Sequence, residues 1–155
     1  MENTARKPVA GVDYTAMAVA FCCHDGKGNF LLHKRSQNCR DERGAWDCGA
    51  GQLEFGESIE EGLRREIREE YGCEAEIGEQ IGVYTRSRVN HEKQPTHWLS
   101  VAYFAQVDPD QVVLNEPKSM DEIGWFRFGE FPEPLHTSWQ KVIKEIPERF
   151  LAYSA

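Results

Sequence analysis

What this chain can fold into is limited most by residues 51 to 73, GQLEFGESIEEGLRREIREEYGC, where seven glutamates crowd among three arginines. Two carboxylates about 4 Å apart repel by roughly 4 kcal/mol at an effective dielectric near 20. Such a cluster either faces water or surrounds a cation. Ser58, followed by Glu60 and Glu61, marks a helix start: its hydroxyl accepts from an open N–H, and acids suit the positive end of the helix dipole. Gly72 is placed to stop the helix after Tyr71. At about 100° per residue, Glu70 falls about 40° and Glu69 about 300° from Glu66, so the three share one sector. Ile59, Leu63 and Ile67 overlap that sector, which puts these acids at the edge of a core. Glu60–Arg64 and Glu61–Arg65 are i,i+4 pairs on the far side. Gly62 leaves space over the acidic patch, at about 0.5–1 kcal/mol relative to alanine. Clustered hard oxygen donors suit Mg2+ or Mn2+ rather than zinc. A solvated amphipathic helix explains the same spacing, and spacing alone leaves both readings open.

The rest of the chain frames that helix. Its 155 residues fit one domain, 1–155, with residues 1–11 expected as a loose N-terminal segment. Hydrophobic residues at 40% and charged residues at 28% are globular values, so disorder is not expected. A net charge of −8 argues against a surface that wraps nucleic acid. It does not exclude phosphate substrates, because a bound divalent cation reverses the local sign. No secretory signal is expected at the start, and the longest apolar run, 16–23, is too short to span a bilayer. The five cysteines form no Cys-x-x-Cys pair and read as free thiols in a reducing cytoplasm, so the expected location is cytoplasmic.

Strands are expected at 14–24, 30–34 and 46–48, then at 74–77, 80–88, 97–107 and 124–128. Gly49-Ala50-Gly51 reads as a bend. A last helix is expected near 136–146, ended by Pro147. This is a mixed α/β (α+β) domain. Trp125 and Trp139 read as core. Among residues outside the helix, Lys34 and Arg35 end a strand, and Arg86 and Arg88 point the same way from another, a pattern suited to an anion.

The segment resembles the Nudix box of the Nudix hydrolases, Gly-x5-Glu-x7-Arg-Glu-U-x-Glu-Glu-x-Gly-U with U a bulky aliphatic residue. Gly51, Glu57, Arg65, Glu66, Ile67, Glu69, Glu70 and Gly72 match it, and Cys73 replaces the last aliphatic residue. The resemblance implies an α/β/α sandwich with a central mixed sheet, a smaller antiparallel sheet and flanking helices. It implies metal-dependent hydrolysis of a nucleoside diphosphate linked to another group, with Mg2+ or Mn2+ as cofactor. Glu66, Glu69 and Glu70 become metal ligands, with Glu54 and the Gly51 carbonyl as further donors. Arg65 and Glu57 become an ion pair that orients Glu66, and Glu69 the general base, with Glu116, Asp121 and Glu122 as loop alternatives. Arg35, Arg86, Arg88, Glu116 and Glu122 are the expected substrate contacts. By elimination among subgroup signatures the substrate leans toward a nucleoside triphosphate, with nucleotide sugars and ADP-ribose as alternatives. A Cys-Ser-His-Pro element expected of an isomerase on this fold is missing. A sensing module without turnover is the rival of another class, and a homodimer is left open.

Overall fold

The computed structural model describes residues 5–154. Ten of its eleven elements matter for the site. Strand β1 (Ala16–His24) lies at the centre, with β2 (Asn29–Arg35), β3 (Trp46–Asp47) and β4 (Ala50–Gln52) following. Helix α1 spans Ile59–Tyr71, then come β5 (Ala75–Val89), β6 (Pro95–Val107) and β7 (Met120–Arg127). Helices α2 (Thr137–Glu145) and α3 (Pro147–Leu151) close the chain. β1 runs parallel to β6, and β5 continues that side antiparallel. The other edge of β1 is shared: residues 18–20 pair with β4, residues 23–24 with β2. β2 carries β3 and β7, both antiparallel. The mixed and the antiparallel parts of the sandwich therefore join through β1.

Alternation along β1 sorts the core into two layers. Val19, Phe21 and Cys23 face α1 and pack with Leu63, Ile67 and Tyr71. Ala20 and Cys22 face the other way, toward Trp139, Val142 and Phe150 of α2 and α3. Both faces are buried, so β1 reads as a continuous apolar run rather than an alternating one. Toward its start the second face carries only Ala16 and Ala18, with Trp98 as their neighbour. These small residues leave a hollow where larger ones would fill the layer.

Helix α1 begins and ends where expected. The Ser58 side chain accepts from the Glu61 N–H and the Glu61 carboxylate accepts from the Ser58 N–H. Gly72 takes the left-handed conformation, φ 66°, and its N–H donates to the Arg68 carbonyl. The expected strands at 74–77 and 80–88 are one strand, β5, interrupted by register shifts between Ile77 and Gly82. Gly78, in the gap between the two expected strands, belongs to an irregular stretch that the ladder spans. Of the bend expected at Gly49-Ala50-Gly51, Ala50 and Gly51 belong instead to β4, which pairs with β1. Pro147 ends α2 and also opens α3, where a missing N–H is harmless. Trp139 is core, whereas Trp125 is only partly buried.

Residues 1–4 of the segment expected to be loose lie outside the described residues. From Arg6 onward the chain is tied down: Arg6 grips both carboxylate oxygens of Asp13 at 2.7 Å, and the His97 N–H donates to the Gly11 carbonyl. No helix among the described residues is long and apolar enough to cross a membrane.

Candidate active site

The hollow opens as a cleft of about 360 Å³ between α1, the sheet and α2. Its floor is the small-residue face of β1 and β6, with Ala18, Ala20, Ser100 and Ala102. Glu66, Glu70 and Gly51 stand at one end, facing Glu116 from the loop before β7; Tyr84, Arg86 and Trp98 lie toward the other.

The carboxylates are held where they repel. Glu70 is buried, and its Oε2 has no hydrogen-bond partner. Burial pushes its pKa well above the ordinary range, and Asp47, Glu66 and Glu116 push it further. Burial likewise raises Glu66; Arg65 opposes this, and Glu69 and Glu116 add to it. Gly51 must be glycine, because a Cβ there would lie 1.9 Å from the Glu66 carboxyl carbon. At Gly49 a Cβ would meet the Phe21 ring first, at 2.2 Å, and then Glu70 Oε2 at 2.7 Å. Two glycines thus admit two carboxyl groups into a tight corner.

Arg65 braces this corner. It donates to both oxygens of Glu57 at 2.7 and 2.8 Å, to Glu66 at 2.7 Å and to the Gln52 carbonyl at 3.0 Å. Its hydrogen bonds hold Glu57 down to a pKa of about 2. The loop before α1 is thereby tied to the face of the helix that carries Glu66. Glu69 is half exposed and meets Arg65 at 3.3 Å, and exposed Glu54 meets it only at 3.7 Å. Both stand at the rim rather than in the cleft lining.

The arginines expected to bind substrate divide into two kinds. Arg35 and Arg88 belong to a part-buried ion network. Arg35 reaches Asp41 at 2.9 Å and Asp47 at 3.0 Å; Arg88 reaches Asp41 and Glu42 at 3.3 Å. Glu42 also meets His136 at 2.8 Å and accepts from the N–H and hydroxyl of Thr137. Burial opposes its charge, yet His136 and Thr137 hold Glu42 down to a pKa of about 2. Arg86 is different. Among the described residues it has no carboxylate partner; its guanidinium lies 4.6 Å from the Tyr84 ring centre, and burial lowers its pKa. It is a half-buried cation in need of an anion. Glu122, on β7 opposite Lys34, is exposed and outside the cleft lining, so it does not join the other expected contacts.

Among the described residues, Asp41, Glu42 and His136 are the trio whose ligand-type atoms lie within 4.8 Å of one another. The charge a cation would supply there is already provided by Arg35 and Arg88. The helix glutamates are spread more widely, with Glu69 turned to Arg65, but Glu70 keeps an unpartnered oxygen. The donor set of Glu66, Glu70 and the Gly51 carbonyl beside them is all hard oxygen, which fits Mg2+ or Mn2+. Sequence reasoning missed the acids Asp41, Glu42 and Asp47 that occupy Arg35 and Arg88. Asp41 and Glu42 fall between the strands expected at 30–34 and 46–48, and no short-range pattern ties them to His136.

The NUDIX domain family matches residues 14–146. An NAD-capped RNA hydrolase NudC of Citrobacter koseri is 31% identical over 98 residues, covering 63% of this chain and 35% of the relative. The corresponding protein of Escherichia coli is 30% identical over the same length. The chain spans about a third of the length of these relatives. Among solved structures, a MutT NUDIX hydrolase from Burkholderia pseudomallei superposes with a TM-score of 0.72 at 23% identity, covering 86% of this chain and 98% of that one. The NUDIX domain of Shewanella oneidensis NrtR, solved with ADP ribose, gives 0.66 at 18% identity, with 88% of each chain covered.

Proposed function

The chain belongs to the NUDIX domain family, and from that premise we propose that it hydrolyses the diphosphate linkage of a nucleoside diphosphate joined to another group. The observation that carries this reading is the unpartnered Oε2 of Glu70, buried beside Glu66 and Glu116 at the end of an open cleft. Two carboxyl groups whose pKa is raised by burial and by the acids around them are costly unless a cation or protons offset them.

Glu66 and Glu70 would hold Mg2+ or Mn2+, with the Gly51 carbonyl beside them and Glu69 at the rim as further donors. The cation supplies charge neutralisation of the diphosphate and acidifies water. Arg65 keeps Glu66 aimed into the corner, with Glu57 holding Arg65 and Glu54 at the edge of the same group. Arg86, toward the far end of the cleft beside Tyr84, takes an acceptor of the nucleotide in place of the carboxylate it lacks. Glu116 removes a proton from the attacking water, because it enters the cleft opposite Glu66 and Glu70 while Glu69 stands outside it. The geometry thus favours the loop alternative over Glu69 as base. Arg35 and Arg88 shape the wall through their acids and do not contact phosphate.

The nucleoside lies on the small-residue floor beside Tyr84 and Trp98. The relatives named for hydrolysis of NAD-capped RNA and the fold neighbour that holds ADP ribose both favour a nucleotide joined to a larger group over a bare triphosphate. The test is a panel of nucleoside triphosphates, nucleotide sugars, ADP-ribose and dinucleotides assayed with Mg2+ and Mn2+. Metal-dependent phosphate-bond cleavage, reduced at least about a hundredfold in Glu116→Gln as expected of general-base loss, supports the reading. Metal binding without turnover of any member would replace it with a sensing module.

A further inference from the structure

A second cleft, of about 480 Å³, adjoins the first on the side away from the carboxylates. The two share Asn38, Cys39, Arg40, Asp41, Arg88 and Trp98 as a common wall. Glu66 lies against Gly51, which pairs with Val19, and Trp98 pairs with Ala16. The two ends of the floor are therefore three residues apart along β1, roughly 10 Å at the rise of a strand. A nucleoside fits between them. Anything attached to its far side enters the second cleft.

That cleft has the wrong charge for this chain. Four arginines and two carboxylates line it, although the protein as a whole carries −8. Arg6 is matched by Asp13, and Arg88 by Asp41 and Glu42. Arg40 and Arg43 have no carboxylate partner among the described residues. Arg40 lies over the Trp98 ring, 5.0 Å from its centre, and its side chain makes no hydrogen bond there. The ring face holds the cation while its N–H groups stay free of protein acceptors among the described residues, and a free guanidinium takes a phosphate by two parallel bonds. Arg43 donates to the Cys39 carbonyl at 2.7 Å and meets His91 Nε2 at 3.2 Å, so it too is held in place. The loop that carries both is fastened to the β5–β6 turn by the His91 N–H, which donates to the Arg40 carbonyl at 2.7 Å. Of the two acids, Asp41 is neutralised by Arg35 and Arg88, and Glu92 is exposed at the turn.

We propose that the nucleoside bound in the first cleft carries a further phosphate on its ribose, at the 2′ or 3′ position, and that Arg40 and Arg43 hold it in the second cleft. This rests on the reading of the first cleft as a nucleotide site. Two arginines match a single phosphate rather than a polymer, in keeping with the net charge.

The test uses binding, which needs no turnover. Calorimetry compares adenosine 5′-monophosphate with its 2′,5′- and 3′,5′-bisphosphates, on the wild type and on an Arg40→Ala/Arg43→Ala double variant. Charge-assisted contacts of this kind predict a preference of about tenfold or more for a bisphosphate, falling to about one in the double variant. Which isomer gains identifies the ribose position. Equal binding of all three by the wild type, or a preference that survives in the double variant, overturns the proposal. The hydrolase reading is judged apart, by whether the unphosphorylated and 2′-phosphorylated forms of NAD are cleaved at all.

Discussion

Replacing Glu70 by glutamine should stabilise the metal-free protein and abolish its response to metal, two effects of opposite sign from one atom. In the wild type Oε2 is buried without a partner, and the charges nearest it are mostly acids. A buried polar atom left unsatisfied costs about 1–3 kcal/mol, more when charged. Glutamine keeps the shape and turns an acceptor into an N–H2 donor facing carboxylates. The sign with pH agrees. A raised carboxyl pKa means that the folded chain keeps a proton the unfolded chain releases, so metal-free stability falls as pH rises above the ordinary glutamate range. The variant lacks that loss. At pH 8 with chelator, a gain of about 1–3 kcal/mol raises the melting temperature by roughly 2–12 °C in a chain of this size.

With Mg2+ at a hundred times its dissociation constant, the wild type should gain about 2.7 kcal/mol, or roughly 5–11 °C. The variant should gain little. Thermal unfolding followed by circular dichroism, with and without metal, reads all four states. A metal-free variant that melts below the wild type, while keeping the full Mg2+ response, would refute the assignment of Glu70 as a ligand and the argument from its unpartnered oxygen.

The arginines offer a second contrast. Arg86→Ala should lower kcat/KM on a cleaved nucleotide by about tenfold or more, the worth of a charged hydrogen bond, and leave the melting temperature nearly unchanged. Arg35→Ala should instead lower stability by about 3–5 kcal/mol, because it strands Asp47 and Asp41; denaturant unfolding checks it. His33 gives a pH signature. Burial lowers its pKa from 6.5 to about 4, so as pH falls through that window the unfolded chain binds a proton the folded chain refuses. Stability present above pH 6.5 is then lost by about 3 kcal/mol toward pH 4, and His33→Gln should flatten that slope in urea titrations at successive pH values.

How far the sequence reaches depends on the range of the interaction. Helix α1 was legible down to its caps because Ser58, Glu61 and Gly72 act within one turn. Glu57–Arg65 was legible only through the resemblance, since eight residues of loop and helix separate them. β4 was not legible: Ala50-Gly51-Gln52 has no strand character of its own, and only its pairing with β1 makes it a strand, with Gly51 lying bare against Glu66. The gap at Gly78 in β5 looked like an end because sequence shows where a ladder weakens, not whether β6 spans the fault.

The arginines show the same limit in electrostatic form. Arg86 and Arg88 are two apart on one strand, face the same cleft and are indistinguishable by pattern. What separates them is that Glu42, from a loop more than forty residues earlier, reaches Arg88 while also capping α2 through Thr137. One carboxylate thus fixes a helix end and removes a cation from the substrate's reach. Glu42→Gln should therefore do more than loosen α2. With its charge gone, Arg88 keeps Asp41 as its one carboxylate partner among the described residues, which Arg35 already shares, beside neutral contacts to His136 and Ser138. The variant should bind phosphate-rich ligands more tightly, by about two- to fivefold, while melting lower by a few degrees, on the order of 1 kcal/mol for a lost cap. Weaker or unchanged binding alongside that loss of stability would mean that Arg88 is held in place by more than charge.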